Sequence, residues 1–74
     1  MHGKGLLIFK DGSFYNGEFH FGMKNGYGIF VYADGESYEG KWFQNKKNGK
    51  GIYKWKDGTS MKGIFTKNLV SEFF

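Results

Sequence analysis

Apolar residues along this chain recur at every second position, in short runs that glycines and polar residues separate. The clearest run is GYGIFVYADGESYEGKWF at 26–43, where aromatic residues and glycines alternate with other residues on both sides of an Asp-Gly pair. A period of two is typical of β-strands. Asp-Gly is a turn signal, because Asp hydrogen-bonds its own backbone and Gly accepts positive φ at no steric cost. The pattern predicts a β-hairpin with Asp-Gly at its tip.

The hairpin pattern occurs three times with a period of 23 residues and without insertion or deletion. Asp-Gly pairs stand at 11–12, 34–35 and 57–58. The glycines of a Gly-x-Gly motif keep the same period, at Gly3, Gly5, Gly26, Gly28, Gly49 and Gly51. Such self-similarity is the signature of a repeat architecture built from one supersecondary unit. We expect a single domain over 1–74, with repeats at 3–25, 26–48 and 49–71 and a truncated or capping end at 72–74.

The alternation predicts about six strands, near residues 5–9, 14–20, 28–32, 37–43, 51–55 and 60–66. Between the repeats, the polar segments FGMKNG and QNKKNG end in Asn-Gly and predict a second set of turns, which join one hairpin to the next. The predicted fold is all-β, a single-layer twisted antiparallel meander of about three hairpin repeats. Right-handed twist accumulates across such a sheet and glycines permit bending, so we expect a curved sheet with a groove.

Residues 26–51, GYGIFVYADGESYEGKWFQNKKNGKG, resemble the MORN repeat (membrane occupation and recognition nexus). Its pattern is Tyr-x-Gly-x-Trp/Phe, then Gly-x-Gly, then Asp-Gly. The second repeat carries the motif in full at 38–42, the first carries it with phenylalanine at 15–19, and the third departs from it at Met61. The resemblance covers nearly the whole chain. It implies a non-enzymatic module whose curved sheet is a protein-interaction surface, and in some members a proposed contact with phospholipids.

The strand glycines imply close packing against the sheet, because glycine lets another group approach the backbone. We expect large rings from neighbouring strands to cover Gly17, Gly40 and Gly63, which share strand parity with the motif aromatics. Gly28 and Gly51 complete the predicted set of structural glycines. The chain has no cysteine. Packing of aromatic rings on glycine would therefore stabilise this small domain where disulfides cannot.

Strand parity places the glycines and most aromatic residues on one face, which we call the aromatic face. Its members are Leu7, Phe9, Tyr15, Phe19, Phe30, Tyr32, Tyr38, Trp42, Tyr53, Trp55, Met61 and Phe65. No helix or second sheet is predicted to cover them, and a large exposed apolar patch usually marks an interaction site. We therefore predict a groove that binds a helix or an extended peptide of a protein partner, through Tyr15, Phe30, Tyr32, Tyr38, Trp42, Tyr53, Trp55 and Phe65.

The charge of the chain leaves an anionic phospholipid surface as the alternative ligand. Lysine and arginine total 11 against 7 acidic residues, a net charge of +4, and every one of the 11 is lysine. The candidate lipid contacts are the clustered Lys46, Lys47 and Lys50, whose competing interpretation is ordinary solvated turn lysines. Nucleic acid is disfavoured, because arginine dominates bidentate phosphate and guanine contacts. Lipid binding should weaken as ionic strength rises, whereas binding through the aromatic residues should not.

The sequence favours no enzyme, metal site or cofactor. Asp11, Asp34 and Asp57 recur as turn residues, whereas an active site is one asymmetric constellation. His2 and His20 have no thiolate partners for a zinc site. The Gly-x-Gly motifs lack the spacing and the Lys-Ser/Thr of a phosphate-binding loop.

The sequence also gives expectations for the cellular location of the protein and for the end of the repeat array. The longest apolar run is far shorter than the roughly 20 residues of a membrane span. We expect a soluble, intracellular protein in the cytoplasm, with association with a membrane or the cytoskeleton as the alternative. After Asn68 the repeat pattern is lost in LVSEFF. Because open edge strands invite pairing, this segment is expected to cap the last hairpin or to form a homodimer through terminal edge strands, unless it is the cut edge of a longer array.

Overall fold

The computed structural model describes residues 2–73, with side chains described for 2–70. Seven strands form one antiparallel sheet in the order of the sequence, which confirms the predicted all-β meander. They are β1 (Gly3–Ile8), β2 (Phe14–His20), β3 (Met23–Val31), β4 (Ser37–Phe43), β5 (Lys46–Lys54), β6 (Ser60–Thr66) and β7 (Leu69–Phe73). Within the described residues, no helix has the length and apolar character needed to cross a membrane.

The predicted Asp-Gly turns close the three hairpins β1-β2, β3-β4 and β5-β6. In each, the Asp carboxylate accepts a hydrogen bond of 2.9 Å from the backbone N–H two residues later, at Ser13, Glu36 and Thr59. Each following glycine has a positive φ of 92° or 94°. Hydrogen bonds from Ser13 and Thr59 also lower the pKa of Asp11 and Asp57. The three aspartates therefore recur in the sequence because each one stabilises a turn.

The turns between hairpins differ from the prediction. The Asn-Gly pairs lie inside β3 and β5, at 25–26 and 48–49. Two-residue turns connect the hairpins instead, at 21–22, 44–45 and 67–68. All these turn residues have positive φ, between 48° and 77°, as a type I′ turn requires. Gly26 and Gly49, with φ of 94° and 100°, lie where the register shifts between β2 and β3 and between β4 and β5. Asn-Gly therefore marks bulges and not turns.

Asparagines in these turns connect consecutive repeats. Asn45 Oδ1 accepts a 2.8 Å hydrogen bond from the Lys24 N–H, and the Asn45 N–H donates to the Lys24 carbonyl at 3.0 Å. Asn68 forms the equivalent pair with Lys47, at 2.9 Å and 3.0 Å. Asparagine tolerates the left-handed conformation of the turn. One residue thus forms the turn and also fixes the backbone of the preceding repeat.

The C-terminal segment forms a seventh strand that the repeat pattern did not predict. β7 pairs with β6 from Thr66 opposite Leu69, and Val70 packs against the core. The truncated or capping end expected at 72–74 stays a prediction, and its position 74 lies outside the described residues. Pairing of this edge with a second copy stays a prediction, which sedimentation of the intact chain at several concentrations would test; a constant monomer would contradict it.

A row of glycines crosses the sheet from β1 to β6, because each glycine lies directly opposite the next in register. Its members are Gly5, Gly17, Gly28, Gly40, Gly51 and Gly63. A Cβ added at Gly40 would lie 2.5 Å from the Gly51 Cα and 2.6 Å from the Lys50 carbonyl oxygen. Gly17 approaches the backbone of β3 in the same way. At these two positions glycine is needed because the neighbouring strand itself is so close.

The rings that we expected over Gly17 and Gly40 lie one strand further on. A Cβ added at Gly28 would overlap the ring of Tyr15, and one added at Gly51 would overlap the ring of Tyr38. Aromatic side chains therefore do pack on these glycines. The ring of each tyrosine lies over Gly28 or Gly51, and its hydroxyl oxygen also lies 2.8 Å from a Cβ added at Gly17 or Gly40. The cause is side-chain direction: each tyrosine leans across to the following strand.

The core lies on the aromatic face, as predicted. Its buried members are Tyr15, Phe19, Tyr38, Trp42 and Phe65. Tyr15 and Tyr38 have 0% of their surface exposed, although the described chain forms a single sheet with no second layer. A lone sheet can enclose side chains so completely only by curving around them, so the aromatic face is concave.

Candidate functional site

The accessible part of the aromatic face is a continuous row of five rings, which we call the aromatic strip. It consists of Phe9, Phe30, Tyr32, Tyr53 and Trp55. Successive ring centroids are 5.6, 4.8, 6.0 and 5.2 Å apart. Phe9 and Trp55 at its ends are 37% and 38% exposed, and the three rings between them are partly buried. The strip crosses all three hairpins, because each contributes the residues just before its Asp-Gly turn.

The other four predicted groove residues, Tyr15, Tyr38, Trp42 and Phe65, lie below the strip in the buried core. The Trp42 ring stands edge-on to Tyr15 at 5.4 Å and to Tyr38 at 5.2 Å. Its indole N–H donates to the Gly28 carbonyl at 3.2 Å. These side chains hold the repeats together, and they leave little surface for a partner to touch. The strip therefore contains the accessible members of the predicted groove.

The hydroxyl groups of Tyr15 and Tyr38 are satisfied within the sheet. Each donates to a backbone carbonyl three residues later, Tyr15 to Glu18 at 2.9 Å and Tyr38 to Lys41 at 3.1 Å. Burial disfavours the charged tyrosinate and raises the pKa of both to about 12. The ionised form of either side chain is therefore unfavourable in the folded protein.

We expect the free energy of unfolding to fall as the pH rises from about 10 to about 12. Unfolded tyrosine loses its proton near pH 10, whereas the folded side chains keep theirs to about pH 12. Their stabilising contribution is complete below pH 10 and is lost above it, on the order of 2 kcal/mol for each tyrosine. Urea unfolding at a series of pH values measures this loss. A Tyr15→Phe/Tyr38→Phe double variant, which keeps both rings, should give a flatter profile; an identical slope would contradict the assignment.

Two lysines lie on the aromatic face: Lys24, which the sequence reasoning did not single out, and Lys47, which it named only as a candidate lipid contact. The Lys24 ammonium lies 5.4 to 5.9 Å from the ring centroids of Phe9, Tyr15, Phe30 and Trp42. The Lys47 ammonium lies 5.5 to 5.7 Å from those of Tyr32, Tyr38 and Tyr53. These are cation–π distances, and burial lowers the pKa of Lys24. Lys24 and Lys47 stand one repeat period apart, which could have indicated equivalent positions on the sheet. The sequence analysis instead placed Lys47 in a predicted turn.

The three lysines predicted to contact lipid do not form one cluster. Lys47 is directed over the tyrosine rings. Lys46 lines a depression with Phe43, and Lys50 lines a different one with Tyr27. Strand alternation in β5 directs Lys47 to the face opposite that of its neighbour Lys46, whereas Lys46 and Lys50 line separate depressions.

The acidic side chains of the described residues act as hydrogen-bond acceptors. Glu36 accepts from the Tyr53 hydroxyl at 2.8 Å, beside the aromatic strip. On the opposite face, Glu39 accepts from the Tyr27 hydroxyl at 2.7 Å. The part of the chain that the structure describes contains no group of three metal-ligating side chains.

An open antiparallel meander built from β-hairpins that recur every 23 residues is the architecture of a β-hairpin repeat protein. The MORN repeat family model matches residues 1–14, 15–37 and 38–60. The chain belongs to the MORN-repeat family, whose repeats are generally non-enzymatic modules for protein or membrane interaction. The second and third matched units begin at the motif tyrosines Tyr15 and Tyr38, whereas the repeats defined above begin near Gly-x-Gly. No curated protein matches the sequence.

Proposed function

We propose that this chain is a non-enzymatic module that binds a protein segment along the aromatic strip. The supporting observation is the strip itself, five rings in unbroken contact with Phe9 and Trp55 more than one third exposed at its ends. The buried rings beneath already hold the fold, so the strip is available for binding. Aromatic side chains on a rigid support are the residues most enriched at binding hot spots.

The strip has the shape for a helix or an extended peptide that runs across the strands. It passes from β1 to β5, and its rings present their surfaces on the concave side of the sheet. The polar groups at its edge, such as the Tyr53 hydroxyl bonded to Glu36, would orient such a segment. A protein partner is favoured over an anionic membrane, because the three lysines proposed for lipid contact are directed to different places.

We expect Tyr32→Ser and Tyr53→Ser to weaken binding of the cellular partner by at least about tenfold, because each removes a ring from the middle of the strip. The partner is first captured from the source cell and identified. Its affinity for each variant is then measured by calorimetry, together with the thermal midpoint of that variant. Both side chains are only partly buried, so the variants should stay folded.

The matched control is Tyr27→Ser, which removes a tyrosine that is 52% exposed on the opposite face. It should leave affinity unchanged. If folded Tyr32 and Tyr53 variants bind as tightly as the parent, the strip is not the site. Binding that instead falls with ionic strength and with the loss of Lys46 and Lys50 would point to an anionic membrane surface.

A further inference from the structure

The aromatic face carries two positive charges at equivalent positions of neighbouring repeats. Lys24 and Lys47 are both partly buried, each with its ammonium group over three or four rings. Neither forms an ion pair with a described residue. The backbone of each is fixed by the asparagine of the following turn. The face is therefore both apolar and cationic, with its charges held at set positions.

We propose that the partner segment is an acidic amphipathic helix that crosses the strands, with one carboxylate on Lys24 and a second, two helical turns later, on Lys47. This inference rests on the proposed function and names the chemistry of its partner. A carboxylate is the ligand that a partly desolvated ammonium group binds most strongly, because a charge-assisted hydrogen bond becomes stronger where water is displaced.

The spacing of the two lysines selects a helix. Lys24 lies in β3 and Lys47 in β5, so β4 separates them. Two inter-strand steps of about 4.8 Å place them about 10 Å apart. In a helix, carboxylates at i and i+7 are about 10.5 Å apart and on the same face. An extended segment covers about 10 Å in three residues, which would direct its two carboxylates to opposite sides.

The surface between the lysines is suited to the apolar face of such a helix. Phe30 belongs to the rings around Lys24, and Tyr32 belongs to those around Lys47. Their centroids are 4.8 Å apart, in the middle of the aromatic strip. Apolar residues at i+3 and i+4 of the helix lie on the same face as the two carboxylates, and they would pack on these rings.

The third repeat carries an apolar residue at the position where the first two repeats carry these lysines. One period after Lys47 stands Val70, which packs against the core. An apolar side chain is therefore compatible with this position of the sheet. Methionine keeps the length of the lysine side chain and makes favourable contacts with aromatic rings. A Lys24→Met/Lys47→Met double variant should remove both charges and remain folded.

The experiment uses two synthetic helical peptides of about 15 residues. One has glutamates at i and i+7 and leucines at i+3 and i+4; the other has glutamines in place of the glutamates. Binding to the whole chain is followed by tryptophan fluorescence at low and high salt. We expect the glutamate peptide to bind about tenfold more tightly. This preference should vanish at high salt and in the Lys24→Met/Lys47→Met variant, but persist in a Lys46→Met/Lys50→Met control whose thermal midpoint matches.

The other outcomes overturn the inference and separate it from the proposed function. If both peptides bind equally and Tyr32→Ser weakens both, the strip binds protein but the partner is not acidic. If neither peptide binds while the cellular partner still depends on Tyr32, the proposed function stands and the acidic helix is wrong. If vesicles of anionic phospholipid bind, lose binding in the Lys24→Met/Lys47→Met variant, and neither peptide binds, the face recognises a membrane.

Discussion

Replacement of Gly40 by valine should strongly destabilise this protein. Gly40 in β4 lies opposite Gly28 on one side and Gly51 on the other, and an added Cβ would lie 2.5 Å from the Gly51 Cα and 2.6 Å from the Lys50 carbonyl oxygen. Those atoms are backbone and cannot rotate away, so strand pairing must give way. We expect a loss above about 3 kcal/mol, out of a total of about 4 to 11 kcal/mol for a domain of this size.

The matched control for this prediction is Lys54→Val, which introduces the same side chain at an exposed position of β5. It should change stability by less than about 0.5 kcal/mol. Urea unfolding of both variants measures the difference. A loss below about 1 kcal/mol for Gly40→Val would show that β4 and β5 can move apart at little cost.

Trp42→Ala should cost about 3 to 5 kcal/mol, the usual range for removing a buried tryptophan. Trp42 is 5% exposed and is the ring that connects the first two repeats, because it contacts Tyr15 of one and Tyr38 of the other. Its loss would leave a cavity between these rings. The Gly28 carbonyl would also lose the hydrogen bond of the indole N–H. The free energy of unfolding is measured in urea.

Trp42→Phe is the matched control, because the equivalent positions of the first and third repeats are Phe19 and Phe65. A phenylalanine ring fills most of the same space, so the loss should be about 1 kcal/mol. Equal losses for the alanine and phenylalanine variants would mean that the hydrogen bond to Gly28, and not the ring packing, carries the contribution of Trp42.

The hairpins and their tips could be predicted from sequence because their causes are local. The alternation of apolar positions has the period of a strand, and Asp-Gly has only a few favourable conformations. The observed inter-repeat turns at 21–22 and 44–45 lie inside the predicted segments, but those segments were predicted too long. The cause is that Asn-Gly fits either a turn or a bulge, both of which need positive φ. Pairing register decides between them: Phe43 opposite Lys46 leaves only Gln44 and Asn45 for the turn. β7 was missed because its backbone bonds to β6 follow no repeat motif.

Residue spacing is enough to predict the repeat, the strands and the family, and strand parity is enough to assign the face on which the aromatic residues lie. The tertiary fold divides the eight predicted groove residues into a buried core and an accessible strip, because burial depends on the curvature that the whole sheet adopts. It also directed Lys24 and Lys47 over the rings. The bulges and turns that set this orientation arise from the pairing of strands, which no single segment specifies.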